Sequence, residues 1–273
     1  MLQNNKRSVH LLGWNCIKLS LLICLLVLSA GCVGQSEPPE EEVSETTTVS
    51  PEEEVSETAE VSLQVGEYYK YRFVINDIEF GYADYKIKSE EDYEGQDAYC
   101  VELSLDQDLN KLGAQGKAEL QATLYIKKNV LPLFYQVEAL VDGEKQTIEC
   151  TFSENKAHDV VTVGEEKYEK EVSLEENTYL MDNNMIGLWA LVYRTLSLEV
   201  GQTYKVSLFF SASFSTYMVD IEVERTETIV VAGKSYEVFV CNVPLFNEID
   251  YVTKDGLLVR IDLPSQNGFI ELV

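Results

Sequence analysis

Beyond residue 61 the chain alternates apolar and polar residues in short runs, and this period of two is typical of β-strands with one buried face. In the clearest run Tyr69, Tyr71, Phe73 and Ile75 fall on one face of the predicted strand, with mostly polar residues between them. The pattern recurs almost to the C-terminus. The predicted strands lie near residues 69–75, 79–88, 97–105, 119–127, 133–141, 145–153, 158–163, 167–174, 202–210, 216–231, 234–244, 248–253, 256–263 and 268–272.

Short turn sequences separate several of these runs. Two-residue turns containing Gly, Asn or Asp are the strongest local signal for an antiparallel hairpin. The candidates are Asn76-Asp77, Asp142-Gly143, Ala232-Gly233 and Asp255-Gly256. Since hairpins join neighbouring strands, we expect a mainly antiparallel sheet that forms a single domain over residues 61–273.

One segment departs from the strand pattern and predicts a helix over about 183–196. Its apolar residues recur at helical spacing. They are Met185, Leu188, Trp189, Val192 and Leu196. Asp182, Asn183 or Asn184 can cap the N-terminus of this helix, and Arg194 suits the negative end of its dipole.

The order of these elements resembles an uncharacterised family of exported β-rich domains. The resemblance rests on the strand-rich first half, the helix containing Leu188-Trp189 and the turn segments 200–202, 231–233 and 255–260. That family is similar to the periplasmic lipoprotein-carrier fold, in which a curled antiparallel half-barrel wraps over a helix. The resemblance implies a mainly β fold, a curled antiparallel sheet with one helix packed on it. It names no catalytic residue.

Two segments that begin similarly also suggest an internal relationship. Residues 65–70 read Val-Gly-Glu-Tyr-Tyr-Lys and residues 200–205 read Val-Gly-Gln-Thr-Tyr-Lys. Each segment places a glycine turn before a predicted strand. They indicate either two similar halves of the sheet or two unrelated strand starts.

The N-terminus has the organisation of an export signal over residues 1–31. Lys6 and Arg7 precede an apolar run that ends after about a dozen residues, shorter than the roughly 20 needed to span a bilayer. Ala30-Gly31-Cys32 resembles the lipobox of prokaryotic lipoproteins, although Ser29 stands where leucine is usual. The resemblance implies a diacylglyceryl group on Cys32 after cleavage. An uncleaved signal anchor, or an ordinary signal peptide with an incidental Cys32, are the alternatives.

Residues 32–60 are predicted to form an extended acidic tether. The octapeptide Pro-Glu-Glu-Glu-Val-Ser-Glu-Thr occurs at 39–46 and again at 51–58. A segment with so many carboxylates and so few apolar groups cannot bury a core and repels itself. The predicted location is therefore the outer face of the cell membrane, with the acylated cysteine as the membrane partner and the tether as a spacer.

Charge and cysteine content exclude several other classes of protein. The formal net charge of −26 repels phosphate backbones, so nucleic acid is not an expected partner. Cys100, Cys150 and Cys241 remain beyond the tether, and an odd number of cysteines permits at most one disulfide. We favour buried free thiols. Their spacing matches no zinc pattern, so neither a metal nor a cofactor is predicted.

Catalytic motifs are equally scarce. His158 is the one histidine beyond the signal, and no serine-hydrolase elbow, phosphate-binding loop or metalloprotease motif occurs. The segment from Asp106 imitates a calcium loop but has Lys111 and Lys117 where Gly and Glu are required. We therefore expect no enzymatic activity.

Aromatic residues crowd the first hairpin and give the remaining functional indication. They could simply be core, because tyrosine and phenylalanine favour strands. Alternatively Tyr69, Tyr71, Phe73 and Trp189 line a pocket between sheet and helix. On that interpretation the chain is a non-catalytic lipoprotein that binds a hydrophobic small molecule or a lipid. The alternative is a structural or interaction protein of the cell envelope.

Overall fold

The structure is a computed structural model, and it describes residues 61, 63–182 and 185–273. The predicted signal peptide, Cys32 and the acidic tether lie outside the described residues. So do Asn183 and Asn184, two of the three candidate helix caps.

The described chain folds into fifteen strands and one α-helix. The strands are β1 (Tyr68–Ile75), β2 (Ile78–Tyr93), β3 (Gln96–Asp108), β4 (Lys117–Lys127), β5 (Pro132–Val141), β6 (Glu144–Ser153), β7 (Lys156–Val163), β8 (Glu166–Ser173), β9 (Tyr179–Met181), β10 (Thr203–Phe210), β11 (Ser215–Val231), β12 (Lys234–Val243), β13 (Glu248–Thr253), β14 (Leu258–Leu263) and β15 (Gly268–Leu272). The helix α1 comprises Ile186–Tyr193 and lies between β9 and β10.

All fifteen strands belong to one unclosed sheet, as the mainly β prediction requires. Its order is β8-β7-β6-β5-β4-β3-β2-β1-β15-β14-β13-β12-β11-β10-β9. Two meanders therefore meet in the middle, where the first strand pairs with the last and Tyr71 lies opposite Leu272. Neighbouring strands are antiparallel except β9 and β10, which run parallel.

Each of the fourteen predicted strands has a counterpart, and the hairpin predictions are confirmed. Both residues have positive φ angles in three turns, Asn76-Asp77, Asp142-Gly143 and Ala232-Gly233. Such angles match the right-handed twist of the flanking strands. The prediction missed β9, which has three residues and pairs in parallel with a strand that follows the helix. So short a run carries too little periodicity to be recognised.

The two Val-Gly segments make the same turn. The amide of Gly66 donates to the carbonyl of Ile87 at 2.8 Å, and that of Gly201 donates to the carbonyl of Val223 at 2.7 Å. In both cases the opposite strand then shifts register, after Ile87 and after Val223. The two meanders thus begin with equivalent turns, which supports the first of the two interpretations of this sequence similarity.

The curled sheet brings its two ends together at a seam, which we define as the approach of β6–β8 to β10 and the 3₁₀ turn Ser211–Ser213. The Phe152 and Phe209 rings lie 6.0 Å apart across the seam. Ser211 donates to Asp159 across it at 2.8 Å. The seam closes off an interior filled by one large apolar cluster.

Helix α1 lies inside this curl, and its predicted boundaries were wrong. It spans eight residues rather than 183–196, and Leu196 lies past its end. All eight residues are buried, so the helix is enclosed on every side instead of packing along one stripe. Gly187 permits the close approach to β2, because a Cβ there would lie 2.7 Å from the Cβ of Tyr85.

Arg194 lies at the C-terminal end of the helix, as predicted, whereas Asp182 does not cap the N-terminal end. Met185 occupies the N-cap position without a side-chain cap, while Asp182 accepts a hydrogen bond from the Tyr135 hydroxyl. Arg194 is the C-cap residue, and its guanidinium pairs with Glu67 at 3.1 Å. Tertiary contacts therefore use Asp182 and Arg194, two of the side chains that the sequence assigned to the helix ends.

Candidate functional site

The candidate functional site is the interface between the concave face of the sheet and helix α1. Of the four residues predicted to line a pocket there, Tyr71, Phe73 and Trp189 are buried and Tyr69 is half-buried. The three β1 residues share one face, as their spacing predicted. Tyr71, Phe73 and Trp189 belong to the same apolar cluster, and Tyr69 packs against it. The Tyr71 hydroxyl donates to the carbonyl of Leu258 at 2.9 Å.

The nearest ring partners divide these residues into two groups. The Tyr69 ring lies 5.3 Å from Tyr85, and the Phe73 ring 5.8 Å from Phe80. Trp189 instead contacts rings of its own half of the chain, at 5.1 Å from Tyr193 and 6.0 Å from Phe246. The structure thus places β1 and the helix in one core, with separate aromatic neighbours.

A buried carboxylate anchors the helix to β13. The indole N–H of Trp189 donates to Asp250 Oδ2 at 2.7 Å, and the Tyr193 hydroxyl donates to the same oxygen at 2.6 Å. Asp250 is fully buried, and its Oδ1 has no hydrogen-bond partner. Burial raises the pKa of Asp250 to about 7, although the two donated hydrogen bonds act in the opposite direction.

Sequence reasoning missed Asp250. In an acidic chain, the Glu-Ile-Asp-Tyr segment at 248–251 looks like a solvated strand face. The strand alternation could have indicated its burial, because Asp250 and Val252 are two residues apart and lie on the same face of the strand. Val252 is fully buried. Burial and the nearby Asp250 also raise the pKa of Glu248, so two acids of β13 resist ionisation.

A second buried polar cluster lies at the seam. Asp182 accepts from Tyr135 at 3.1 Å, and Asp159 accepts from Ser211 at 2.8 Å. Asp159 is fully buried with its Oδ1 unpaired. Burial raises the pKa of Asp159 to about 7, and the nearby Asp182 carboxylate adds to this rise, whereas the hydrogen bond from Ser211 lowers the pKa. These side chains connect the two ends of the sheet.

Two interior cavities lined by described residues offer little free space. One, of about 20 Å³, lies beside Asp182, Gln146 and Ala212. The other, of about 10 Å³, lies between β4 and the helix residues Leu188 and Leu191. Neither can hold more than about one water molecule. A larger ligand could enter these regions only if the helix or the seam moved.

Nucleophiles and metal ligands are not grouped in the described part of the chain. No three His, Cys, Asp or Glu residues there are close enough to hold a metal ion. Cys100, Cys150 and Cys241 are free and buried, and burial raises the pKa of each thiol. His158 is exposed on β7, 3.5 Å from Glu169. The segment that imitates a calcium loop forms a 3₁₀ turn at Leu109–Leu112.

Among the described helices, none is long and apolar enough to cross a lipid bilayer.

The fold and site together define an open, barrel-like sheet with an enclosed helix. The chain belongs to a family described as "Protein of unknown function (DUF3108)", whose sequence profile matches residues 68–272. No curated protein shows significant sequence similarity to the chain.

Two solved structures are similar to the chain, with low sequence identity and low TM-scores. The first is described as a beta-barrel-like protein of domain of unknown function DUF1849 from Brucella abortus. It is 10% identical with a TM-score of 0.46, and the match covers 78% of this chain and 98% of that one. The second is a DUF1089 family protein from Pseudomonas aeruginosa. It is 10% identical with a TM-score of 0.42, and the match covers 67% of this chain and 90% of that one. These values are too low to transfer a function.

Proposed function

We propose that the chain is an extracytoplasmic lipoprotein, anchored through acylated Cys32, whose β domain binds a hydrophobic ligand such as a lipid without catalysis. The Ala30-Gly31-Cys32 motif and the acidic tether support the membrane anchor. The fold supports the binding role, because the concave face of the sheet encloses a segment that does not belong to the sheet itself.

The observation that carries the binding role is the complete enclosure of an apolar helix. Helix α1 reads Ile-Gly-Leu-Trp-Ala-Leu-Val-Tyr, has no side-chain cap and is buried at every residue. A helix this short is unstable in water, so its structure depends on the surrounding sheet. It occupies about 12 Å of length along the interior. An acyl chain would replace its contacts with others of the same apolar kind, so that burial of the chain would offset the hydrophobic free energy lost when the helix is exposed.

Polar contacts hold the helix in its position inside the sheet. Asp250 receives two hydrogen bonds from the helix, and Arg194 just beyond it pairs with Glu67. A ligand that replaces the helix must compete with these contacts. A substitution that weakens these contacts makes the helix easier to displace. It should therefore raise the apparent affinity for the ligand by the same factor by which it destabilises the state with the helix in place.

Tryptophan fluorescence tests this exchange directly. Trp14 and Trp189 are the two tryptophans, and Trp14 lies in the predicted signal peptide, so the mature protein reports on the helix alone. A brominated stearate should quench Trp189 saturably as it competes with the helix. Plain stearate causes no bromine quenching, but it should shift the Trp189 emission to longer wavelength as the indole moves from the core towards water. Asp250→Ala should tighten binding by about tenfold or more, because it removes the acceptor of two hydrogen bonds.

Asp220→Ala provides the matched control, since Asp220 is an exposed acid on β11. This variant should bind brominated stearate as the parent does. Absence of quenching in the parent at saturating probe would contradict the proposed binding role, whatever the Asp250 variant does.

An interaction protein of the cell envelope is the second candidate, and the small size of the two interior cavities favours it. Such a protein would use its exterior and keep the helix in place. The fluorescence experiment separates the two candidates, because Trp189 would then stay unquenched while the protein remained folded.

Membrane attachment gives a separate prediction. Cys32→Ser removes the thiol that would be acylated, so the protein should move from the membrane fraction to the soluble fraction after cell lysis. Two acyl chains provide stable anchoring at about 0.8 kcal/mol per buried CH₂, and the variant loses both. Cys241→Ser, which alters a buried thiol in β12, is the control and should stay with the membrane. A Cys32→Ser protein that remained in the membrane fraction would indicate an uncleaved signal anchor.

A further inference from the structure

The outer face of strands β1–β5, opposite the helix, contains a groove of about 510 Å³. The strand register explains its shape. Asp84, Ser104, Gln121 and Glu138 lie directly opposite one another on four successive strands and form one row across the sheet. Ser104 is short, whereas the side chains on either side of it in the row are longer. Small residues in the middle of such a row leave a depression between longer neighbours.

A second row runs parallel to the first. Glu102, Thr123 and Gln136 lie opposite one another on β3, β4 and β5, and Thr123 again places a small hydroxyl in the middle. All three line the groove. The groove floor therefore carries hydroxyls. Its margins carry carboxamides, which donate and accept hydrogen bonds, and carboxylates, which accept them.

The charges in and around this groove largely compensate one another. Glu102 pairs with Lys88 at 2.7 Å, and Glu138 pairs with Lys145 at 3.5 Å. Asp84 accepts a hydrogen bond from Ser104 at 2.7 Å. Although the chain as a whole is strongly acidic, the groove favours a neutral ligand rich in hydroxyl groups over a cation.

An aromatic ring lies at one end of the groove, and others lie beside it on the same face of the sheet. Tyr68 lines one end with 53% of its surface exposed. Tyr125 and Phe134 continue the same strand faces beside the second row, two residues beyond Thr123 and two before Gln136, just outside the groove lining. The Tyr93 ring stacks on Tyr125 at 4.3 Å. Flat apolar rings beside planar hydrogen-bonding groups suit pyranose rings, whose C–H faces are apolar and whose edges carry hydroxyls.

We propose that this groove binds a neutral oligosaccharide. The distance across the five strands is roughly 19 Å, set by a spacing of about 4.8 Å between neighbours, and this would accommodate a short chain of sugars. The groove lies on the face opposite the helix, so sugar binding is independent of the proposed ligand in the interior. A glycan site would give the membrane-anchored domain a second contact, to sugars at the cell surface.

Isothermal titration of the full-length protein in detergent micelles tests the proposal, with maltotetraose, cellotetraose and chitotetraose as probes. At least one should bind saturably. Tyr68→Ala and Gln121→Ala should each weaken that binding by about tenfold, the factor that corresponds to losing one ring contact or one hydrogen bond of about 1.4 kcal/mol. Both residues are exposed, so thermal midpoints should stay close to that of the parent.

Tyr217→Ala is the matched control, since Tyr217 is 47% exposed on β11, away from the groove. It should bind the sugar like the parent. The proposal would be overturned if none of the three probes bound, or if binding survived both groove substitutions unchanged. Binding of spermidine in their place, lost in the Gln121 variant, would identify a cation site and also overturn it.

Discussion

Trp189→Ala should lower the free energy of unfolding by about 3–5 kcal/mol, a large part of the stability of a typical domain. Trp189 is the largest of the fully buried side chains, and the enclosing sheet cannot collapse easily onto the space it would leave. The substitution also removes one of the two hydrogen-bond donors to the buried Asp250. Urea unfolding followed by circular dichroism measures the change.

Two further substitutions identify the source of this effect. Trp189→Phe keeps a buried ring but loses the N–H donor, so it should cost less than the alanine variant. Val230→Ala removes an apolar side chain that is 69% exposed on β11 and should change stability by less than about 0.5 kcal/mol. A Trp189→Ala loss no larger than that of Val230→Ala would show that the helix is not a firm part of the core.

The second large effect is a decrease in stability as pH rises. Burial raises the pKa values of Asp159 and Asp250 to about 7 in the folded protein, whereas an unfolded aspartate titrates near pH 3.9. Between these values the folded state binds more protons than the unfolded state, so the free energy of unfolding falls as pH increases. The contribution is complete below about pH 4 and is lost as pH rises through about 7.

The expected slope approaches about 1 kcal/mol per pH unit from each aspartate in the middle of this window. Some exposed acids have lowered pKa values in the folded protein, so they make the free energy of unfolding rise with pH. Lys167 and Lys156, for example, lower the pKa values of Glu169 and Glu171. Exposed ion pairs contribute little because solvent screens them, so the buried aspartates should determine the sign.

Urea titrations at pH 5 and pH 8 test this expectation, and the midpoint should be higher at pH 5. The double variant Asp159→Asn/Asp250→Asn carries neutral groups of the same shape and should show a flatter profile, with Glu248 contributing to the slope that remains. If the midpoint of the parent rose between pH 5 and pH 8, the two aspartates would not be held protonated in the fold.

Much of the fold could be predicted from local sequence. The alternation of residues such as Tyr69, Tyr71 and Phe73 defines strand faces without reference to any partner, and turns such as Asp142-Gly143 require backbone angles that few residue pairs adopt. Hairpins connect neighbours in sequence, so these local signals also predict most of the pairing. The lipoprotein motif at Cys32 is likewise a property of sequence alone, and its function remains a prediction.

The tertiary structure decided what depends on contacts between distant segments. Three features join residues that are far apart in the chain: the pairing of β1 with β15, the seam and the enclosure of helix α1. The sequence around each of these residues does not indicate which distant segment it contacts. Asp250 shows the same limit, because its sequence neighbours look solvated, whereas Trp189 and Tyr193 surround it only after folding. A carboxylate acquires an unusual pKa from its surroundings, and those exist only in the folded chain.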